Sequence, residues 1–201
     1  MNWADKTIKT YDKSASGMEE YFGSKGARIF DIELGLKLAK VSDSARVVEI
    51  GCGDGRDAYE LFKRVSWYEG FDPSIELLKL ARRKVPGASF VLADALSYEY
   101  PQKLDVVYAF ASLLHVNKSD LGVVLKNLHK SLRKGGIIYL SLKERDRYVE
   151  EVKSDSFGDR MFYYYTPQLV TRIAGNQFSV VYEDHQHIGG VDWFTLALVK
   201  L

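Results

Sequence analysis

The stretch Val47-Val48-Glu49-Ile50-Gly51-Cys52-Gly53-Asp54-Gly55-Arg56-Asp57 decides how the rest of the chain is read. Its first residues, from Arg46 to Ile50, form a short β-branched apolar run of the kind that makes a buried strand. Three glycines follow at alternate positions. Helical periodicity then starts at once, with Ala58, Leu61, Phe62 and Val65 at i, i+3, i+4 and i+7. A strand that enters a helix through glycines brings bare backbone close to whatever binds at its carboxyl end. Taken alone, the same loop is equally well explained as a tight βα turn.

Outward from that loop, short apolar runs alternate with helical patterns, which predicts βα units around a mostly parallel sheet. A second strand is expected from Trp67 to Phe71, followed by Asp72-Pro73-Ser74 and a helix opened by the proline, with Ser74, Leu78, Ala81 and Val85 on one face. Pro86-Gly87 ends it. Strands three and four are expected at Ser89–Ala93 and Asp105–Phe110. A helix striped by Leu121, Val124, Leu125, Leu128 and Leu132 stops at Gly135-Gly136 before a fifth strand, Ile137–Leu142. Thr166-Pro167 opens another helix, with Leu169, Val170, Ile173 and Ala174 inward. The runs Phe178–Tyr182 and Trp193–Val199, joined across Gly189-Gly190, predict an antiparallel hairpin. Ahead of the first strand, residues 28–40 read as one amphipathic helix. Residues 143–160 hold eleven charged side chains of mixed sign and read as a solvated, partly mobile segment.

Two aspartates accompany the glycine loop. Asp72 ends strand two, where a carboxylate can accept both hydroxyl protons of a ribose, and it can also cap the following helix. Asp94 repeats the arrangement after strand three, placed either to accept from an exocyclic amine of adenine or simply to be solvated.

Glu49-Ile50-Gly51-Cys52-Gly53-Asp54-Gly55 resembles motif I of the class I S-adenosylmethionine (AdoMet)-dependent methyltransferases. Gly70-Phe71-Asp72-Pro73-Ser74, Ala93-Asp94-Ala95, Leu104–Phe110 and Leu132-Arg133-Lys134-Gly135-Gly136 resemble their later motifs, in the same order, so the likeness runs from about Tyr11 to the end of the chain. The GxGxG spacing differs from the GxGxxG of nicotinamide oxidoreductases. The stretches Ala109–Val116 and Arg160–Pro167 are similar to small stand-alone bacterial methyltransferases of type 11/25. The resemblance implies a Rossmann-like α/β fold, a seven-stranded mostly parallel sheet with an antiparallel last strand and helices on both faces. It also implies a single domain over residues 1–201, with a helical cap at 1–45, an AdoMet-binding core at 46–142, and an acceptor-side segment with the terminal hairpin at 143–201.

Carried over by position, Gly51, Gly53 and Gly55 would line the methionine portion of AdoMet, and Glu49 would organise the loop and the cofactor's amino group. Asp72 would hold the ribose with Phe71 beside it, Asp94 and Ala95 would bracket the adenine, Phe110 would sit near the sulfonium, and Tyr11 would cover the cofactor. His115 is a candidate general base, since its ordinary pKa suits neutral pH, although a histidine among Leu113, Leu114 and Val116 also fits a structural role. Tyr163, Tyr164 and Tyr165 are candidates for an acceptor pocket, with Tyr164 the catalytic one. At least one of the three is expected to be structural.

The 201 residues carry a formal charge of +1, with 46% apolar and 27% charged side chains, which describes one globular domain without a strong basic or acidic bias. The single cysteine, Cys52, allows no intrachain disulfide and fits a reducing compartment. No secretory or membrane-spanning pattern is read, so a cytoplasmic location is expected. The His185 and His187 pair lacks a ligating cluster, and no metal is expected. These features point to transfer of a methyl group to a small-molecule acceptor by in-line SN2 displacement, leaving S-adenosylhomocysteine (AdoHcy). The alternatives are a tRNA or protein methyltransferase, for which the run Lys79–Lys84 could touch phosphates, and a non-catalytic AdoMet-binding module.

Overall fold

A computed structural model describes residues 2–41 and 43–201. The chain opens with α1 (Trp3–Gly23) and α2 (Ile29–Leu38). It continues through β1 (Arg46–Ile50), α3 (Ala58–Phe62), β2 (Trp67–Asp72), α4 (Ile75–Lys84), β3 (Ser89–Leu92), β4 (Leu104–Phe110), α5 (Lys118–Ser131) and β5 (Leu132–Lys143). It ends with β6 (Val149–Asp155), β7 (Gly158–Tyr164), α6 (Pro167–Ala174), β8 (Phe178–Ile188) and β9 (Val191–Lys200).

Seven strands form one sheet in the order β3-β2-β1-β4-β5-β9-β8. Strands β1 to β5 pair in parallel, and β9 runs antiparallel to both β5 and β8. The order reverses between β1 and β4, so the carboxyl ends of those two strands flank a crevice, where open α/β sheets bind their ligands. All seven residues of β4 are buried, as a strand covered on both faces requires. Alternate residues serve opposite layers. Val48, Ile50, Val107, Ile138 and Leu140 pack with Leu121, Val124, Leu125 and Leu128 of α5. Val47, Val106, Tyr108, Ile137 and Tyr139 pack with Ile32 and Leu36 of α2, Leu61 of α3 and Leu78 of α4. Helices thus cover both faces, and the terminal hairpin turns at Gly189 and Gly190, both at positive φ, as expected.

Four expectations are corrected. First, the region before β1 holds two helices. The 21-residue α1, about 30 Å long at 1.5 Å per residue, precedes the expected one. Its inward stripe is Thr7, Tyr11, Ala15 and Met18, which spans only one strongly apolar residue and is a weak signal of amphipathicity. Second, residues 143–160 are not an irregular solvated segment, because β6 and β7 pair as an antiparallel hairpin. Hydroxyl side chains join that hairpin to α1: Thr10 Oγ1 donates to the Asp159 carbonyl at 2.8 Å, Ser14 Oγ to the Phe157 carbonyl at 2.7 Å, and the Met161 amide to Thr7 Oγ1 at 3.0 Å. Third, α4 is capped by Ser74, whose Oγ accepts from the Leu77 amide, so neither Pro73 nor Asp72 begins it. Fourth, β5 begins at Leu132 and carries Gly135-Gly136 within it, so those glycines bend a strand instead of separating helix from strand.

Helix α2 is fixed to the sheet where Gly35 meets β4. The Tyr108 hydroxyl donates to the Ile32 carbonyl at 2.6 Å, and a Cβ on Gly35 would lie 2.6 Å from that oxygen. Gly35→Ala is therefore expected to overpack the site and lower stability by about 1–3 kcal/mol, read as a reduced denaturant midpoint with unchanged slope.

Candidate functional site

The carboxyl ends of β1 and β2 are joined at one backbone oxygen. The amides of Gly51 and Cys52 both donate to the Phe71 carbonyl, at 2.8 and 3.0 Å. One residue further along, Asp72 Oδ2 accepts from the Gly53 amide at 3.0 Å and Oδ1 from the Ser74 amide at 2.8 Å. Asp72 thus ties the glycine loop to the start of α4. Burial, opposed by those two amides, raises its pKa to about 6. Gly51 needs its missing side chain twice over: φ is +68° there, and a Cβ would meet Ser112 Cβ at 2.4 Å. Gly55, at φ +79°, packs instead on Ala81 of α4.

Glu49 lies beneath the loop, 2% exposed, and accepts from the Tyr68 hydroxyl at 2.6 Å. Burial and the neighbouring Asp57 raise its pKa to about 8. On β4, Phe110 is followed by Ala111, a non-glycine residue in the left-handed region at φ +53°, a conformation that costs energy and marks the turn above the crevice.

These groups converge on a cavity of about 490 Å³, within the range of small-molecule sites. Of the residues expected to bind a cofactor, Tyr11, Glu49, Gly51, Gly53, Phe71, Asp72, Asp94, Ala95 and Phe110 line it, and Gly55 does not. Phe71 contributes chiefly through its backbone, because its ring is stacked on Tyr98 in the core at 4.0 Å between centroids. Asp94 Oδ1 accepts from the amides of Leu96 and Ser97, at 2.7 and 2.9 Å, which fixes the turn after β3.

The two candidate catalytic residues part company. His115 lines the cavity, but both its ring nitrogens are engaged: Nδ1 donates to the Met161 carbonyl at 2.6 Å, so Nε2 accepts from the Tyr11 hydroxyl at 2.8 Å. Burial, reinforced by the charges of Arg160 and Lys143, lowers its pKa to about 3, and the imidazole is neutral. Tyr164 does not line the cavity. Its ring is 1% exposed in the core, with the Arg145 guanidinium 4.3 Å from its centroid, because alternation along β7 sends residues 162 and 164 inward. Tyr163, one step out of phase, lines the cavity instead.

The sequence reading also missed Asp5, Thr7, Asn117 and Asp120 in the wall. The available signal was the capping spacing of Asn2 with Asp5 and of Asn117 with Asp120, where each asparagine side chain accepts from the amide three residues on. The basic run on α4 is largely paired within the protein: Lys79 with Glu76 at 2.7 Å, Arg82 with the Phe90 carbonyl at 2.8 Å, and Lys84 with Asp54. Among the described residues there is no group of three or more side chains that could hold a metal, and no helix long and apolar enough to cross a membrane.

Residues 47–136 match the family model described as a methyltransferase domain. A relative from Bacillus thuringiensis, an uncharacterised methyltransferase, is 26% identical over 196 residues, covering 91% of each chain. Among solved structures, an S-adenosylmethionine-dependent methyltransferase of Leishmania major superposes with a TM-score of 0.75 at 17% identity, covering 98% of this chain and 83% of its own. The 1,6-didemethyltoxoflavin-N1-methyltransferase of Burkholderia thailandensis, solved with its substrate and S-adenosylhomocysteine, gives a TM-score of 0.73 at 18% identity, covering 96% and 87%.

The buried carboxyl of Glu49 makes stability depend on pH. Its pKa is raised from 4.5 to about 8, so the folded state holds a proton that the unfolded state releases. The contribution is therefore complete below pH 4.5 and is lost as pH rises through about 8. Without ligand, the protein is expected to lose stability across that window. Glu49→Gln, which keeps the side chain neutral, should flatten the slope in chemical denaturation at a series of pH values.

Proposed function

We propose that the chain is a class I methyltransferase, a reading supported by the match of residues 47–136 to a methyltransferase domain, and that it binds AdoMet in the crevice at β1, β2 and β4 and transfers the methyl group to a small-molecule acceptor. The observation that carries the reading is Asp72, a buried carboxylate held at the strand end by two backbone amides. Its remaining lone pairs face a cavity of suitable size and fit the two hydroxyls of a ribose.

AdoMet supplies a methyl group already activated by the positive sulfur. The protein's part is then to bind, orient and exclude water. Asp72 would hold the ribose, Asp94 and Ala95 the adenine edge, and Gly51 and Gly53 would leave room for the methionine portion above Glu49. Phe110 and the Tyr11 ring would close the sulfonium end, where an acceptor atom must lie in line with the methyl–sulfur bond. Orientation of this kind supplies on the order of several kcal/mol of rate acceleration. A cationic ligand also favours ionised carboxyls, so closure over AdoMet would lower the raised pKa values of Asp72 and Glu49. The small-molecule reading is supported by a cavity enclosed on one side by α1 and by a basic α4 run that is mostly consumed by internal partners.

Calorimetric titration tests this directly. AdoMet and AdoHcy are expected to bind the intact protein, with AdoMet releasing protons between pH 6 and 8, seen as a buffer-dependent enthalpy. Asp72→Ala should weaken binding by about 2–3 kcal/mol, some 30- to 150-fold, as loss of a charged hydrogen-bond acceptor does. Absence of binding to the folded wild-type protein would overturn the reading.

A further inference from the structure

We propose that the acceptor presents an amine nitrogen bearing at least one hydrogen, and that the Tyr11 oxygen accepts a hydrogen bond from it with His115 as the positioning residue. The proposal rests on the methyltransferase reading above and names the class of its second substrate.

The argument begins with a fixed tautomer. A carbonyl only accepts, so the 2.6 Å contact with the Met161 oxygen places the single imidazole proton on Nδ1. Nε2 then has only a lone pair to offer, and the Tyr11 hydroxyl 2.8 Å away must donate to it. The phenolic proton is thereby committed away from the cavity that Tyr11 lines, and what the oxygen has left for a ligand is lone pairs. The Arg160 guanidinium, 3.5 Å from the same oxygen, also donates to it and takes one of its two lone pairs, which leaves one lone pair with which to accept from a ligand. Tyr11 is built as an acceptor of hydrogen bonds.

Two further observations narrow what can donate to it. The cavity wall holds eight carboxylate side chains and one guanidinium, and that guanidinium, Arg56, is paired with Asp57. A carboxylate or phosphate acceptor would meet no unpaired cation there. An alcohol needs a base to remove its proton as it attacks. The neutral His115, with Nε2 occupied, does not supply one, and neither does the Tyr11 phenol, whose pKa burial raises. An amine carries its own lone pair. If it arrives protonated, it first yields one proton to solvent. The nitrogen pair then forms the new N–C bond, the C–S bond pair returns to sulfur to give neutral AdoHcy, and the extra proton on the methylated nitrogen leaves for solvent. In that sequence the positive charge moves from sulfur to nitrogen, so an acidic wall stabilises the site before and after the transfer.

The test compares benzylamine, benzyl alcohol and benzoate as matched probes binding to the AdoHcy complex, followed by NMR titration. Benzylamine is expected to bind at least about tenfold more tightly than benzoate or benzyl alcohol, and Tyr11→Phe, which keeps the ring and the acidic wall, should reduce the preference for benzylamine over the uncharged benzyl alcohol several-fold while AdoHcy still binds. His115→Gln retains an acceptor for the phenolic proton and should preserve the preference. His115→Leu frees the hydroxyl to donate and should shift binding toward benzoate, an inversion that mere loss of packing would not produce. Equal binding of the three probes, no binding of benzylamine, or an unchanged preference in Tyr11→Phe would overturn the proposal. Failure of AdoHcy itself to bind would instead strike at the methyltransferase reading.

Discussion

The site hangs on two acceptors at the end of β2, the Phe71 carbonyl and the Asp72 carboxylate, which between them receive the amides of Gly51, Cys52 and Gly53. An isolated carboxylate moved out of water is costly, and amides aimed at it offset much of that cost. Here the same amides are the ones a glycine loop would otherwise leave unpaired as it departs the sheet. One set of contacts therefore satisfies the loop, stabilises a buried acid and fixes the floor of the cavity. The reversal of strand order between β1 and β4 makes the crevice, and this linkage gives it a defined chemical lining.

The roof is made differently. Helix α1 spans from the β6–β7 hairpin to α4, where Asp12 Oδ1 accepts from Ser74 Oγ at 2.7 Å and from the Glu76 amide at 3.2 Å. Ser74 thus caps α4 and anchors α1 with one hydroxyl. One residue before Asp12, Tyr11 meets His115 over the cavity, and the imidazole is held by the backbone of β7. The hairpin contributes the Tyr163 side chain to the cavity wall and the Met161 carbonyl, which sets the tautomer of His115.

The sheet was legible in the sequence because its strands are continuous apolar runs and its turns carry glycine, as at Val47–Gly51 and Gly189-Gly190. The strand-end acids were legible because Asp72 and Asp94 end such runs. Helix α1 was not, since its buried stripe of Thr7, Tyr11, Ala15 and Met18 holds a helix in place through hydroxyls as much as through apolar area. The β6–β7 hairpin was hidden for a related reason. Its charged residues fall on both faces of a two-stranded ribbon, Glu151, Lys153 and Arg160 on one and Glu150 and Asp159 on the other, so no clean apolar–polar alternation marks the strands and the linear string looks like a solvated loop. The choice between Tyr163 and Tyr164 turned on strand phase. No inspection of three consecutive tyrosines could supply it before the register of β7 was known.

The seam between α1 and β7 has a mechanical consequence. It is sewn by side-chain hydroxyls of Thr7, Thr10 and Ser14 to main-chain groups, bonds that water replaces with little loss, whereas the sheet beneath is cemented by fully enclosed aliphatic layers. Unzipping this seam exposes less hydrocarbon than parting the sheet's layers, chiefly the Phe157 ring packed on Gly17 and Tyr21, so it belongs to the low end of the protein's ladder of local opening energies. The roof is a door hung on exchangeable fastenings over a rigid frame.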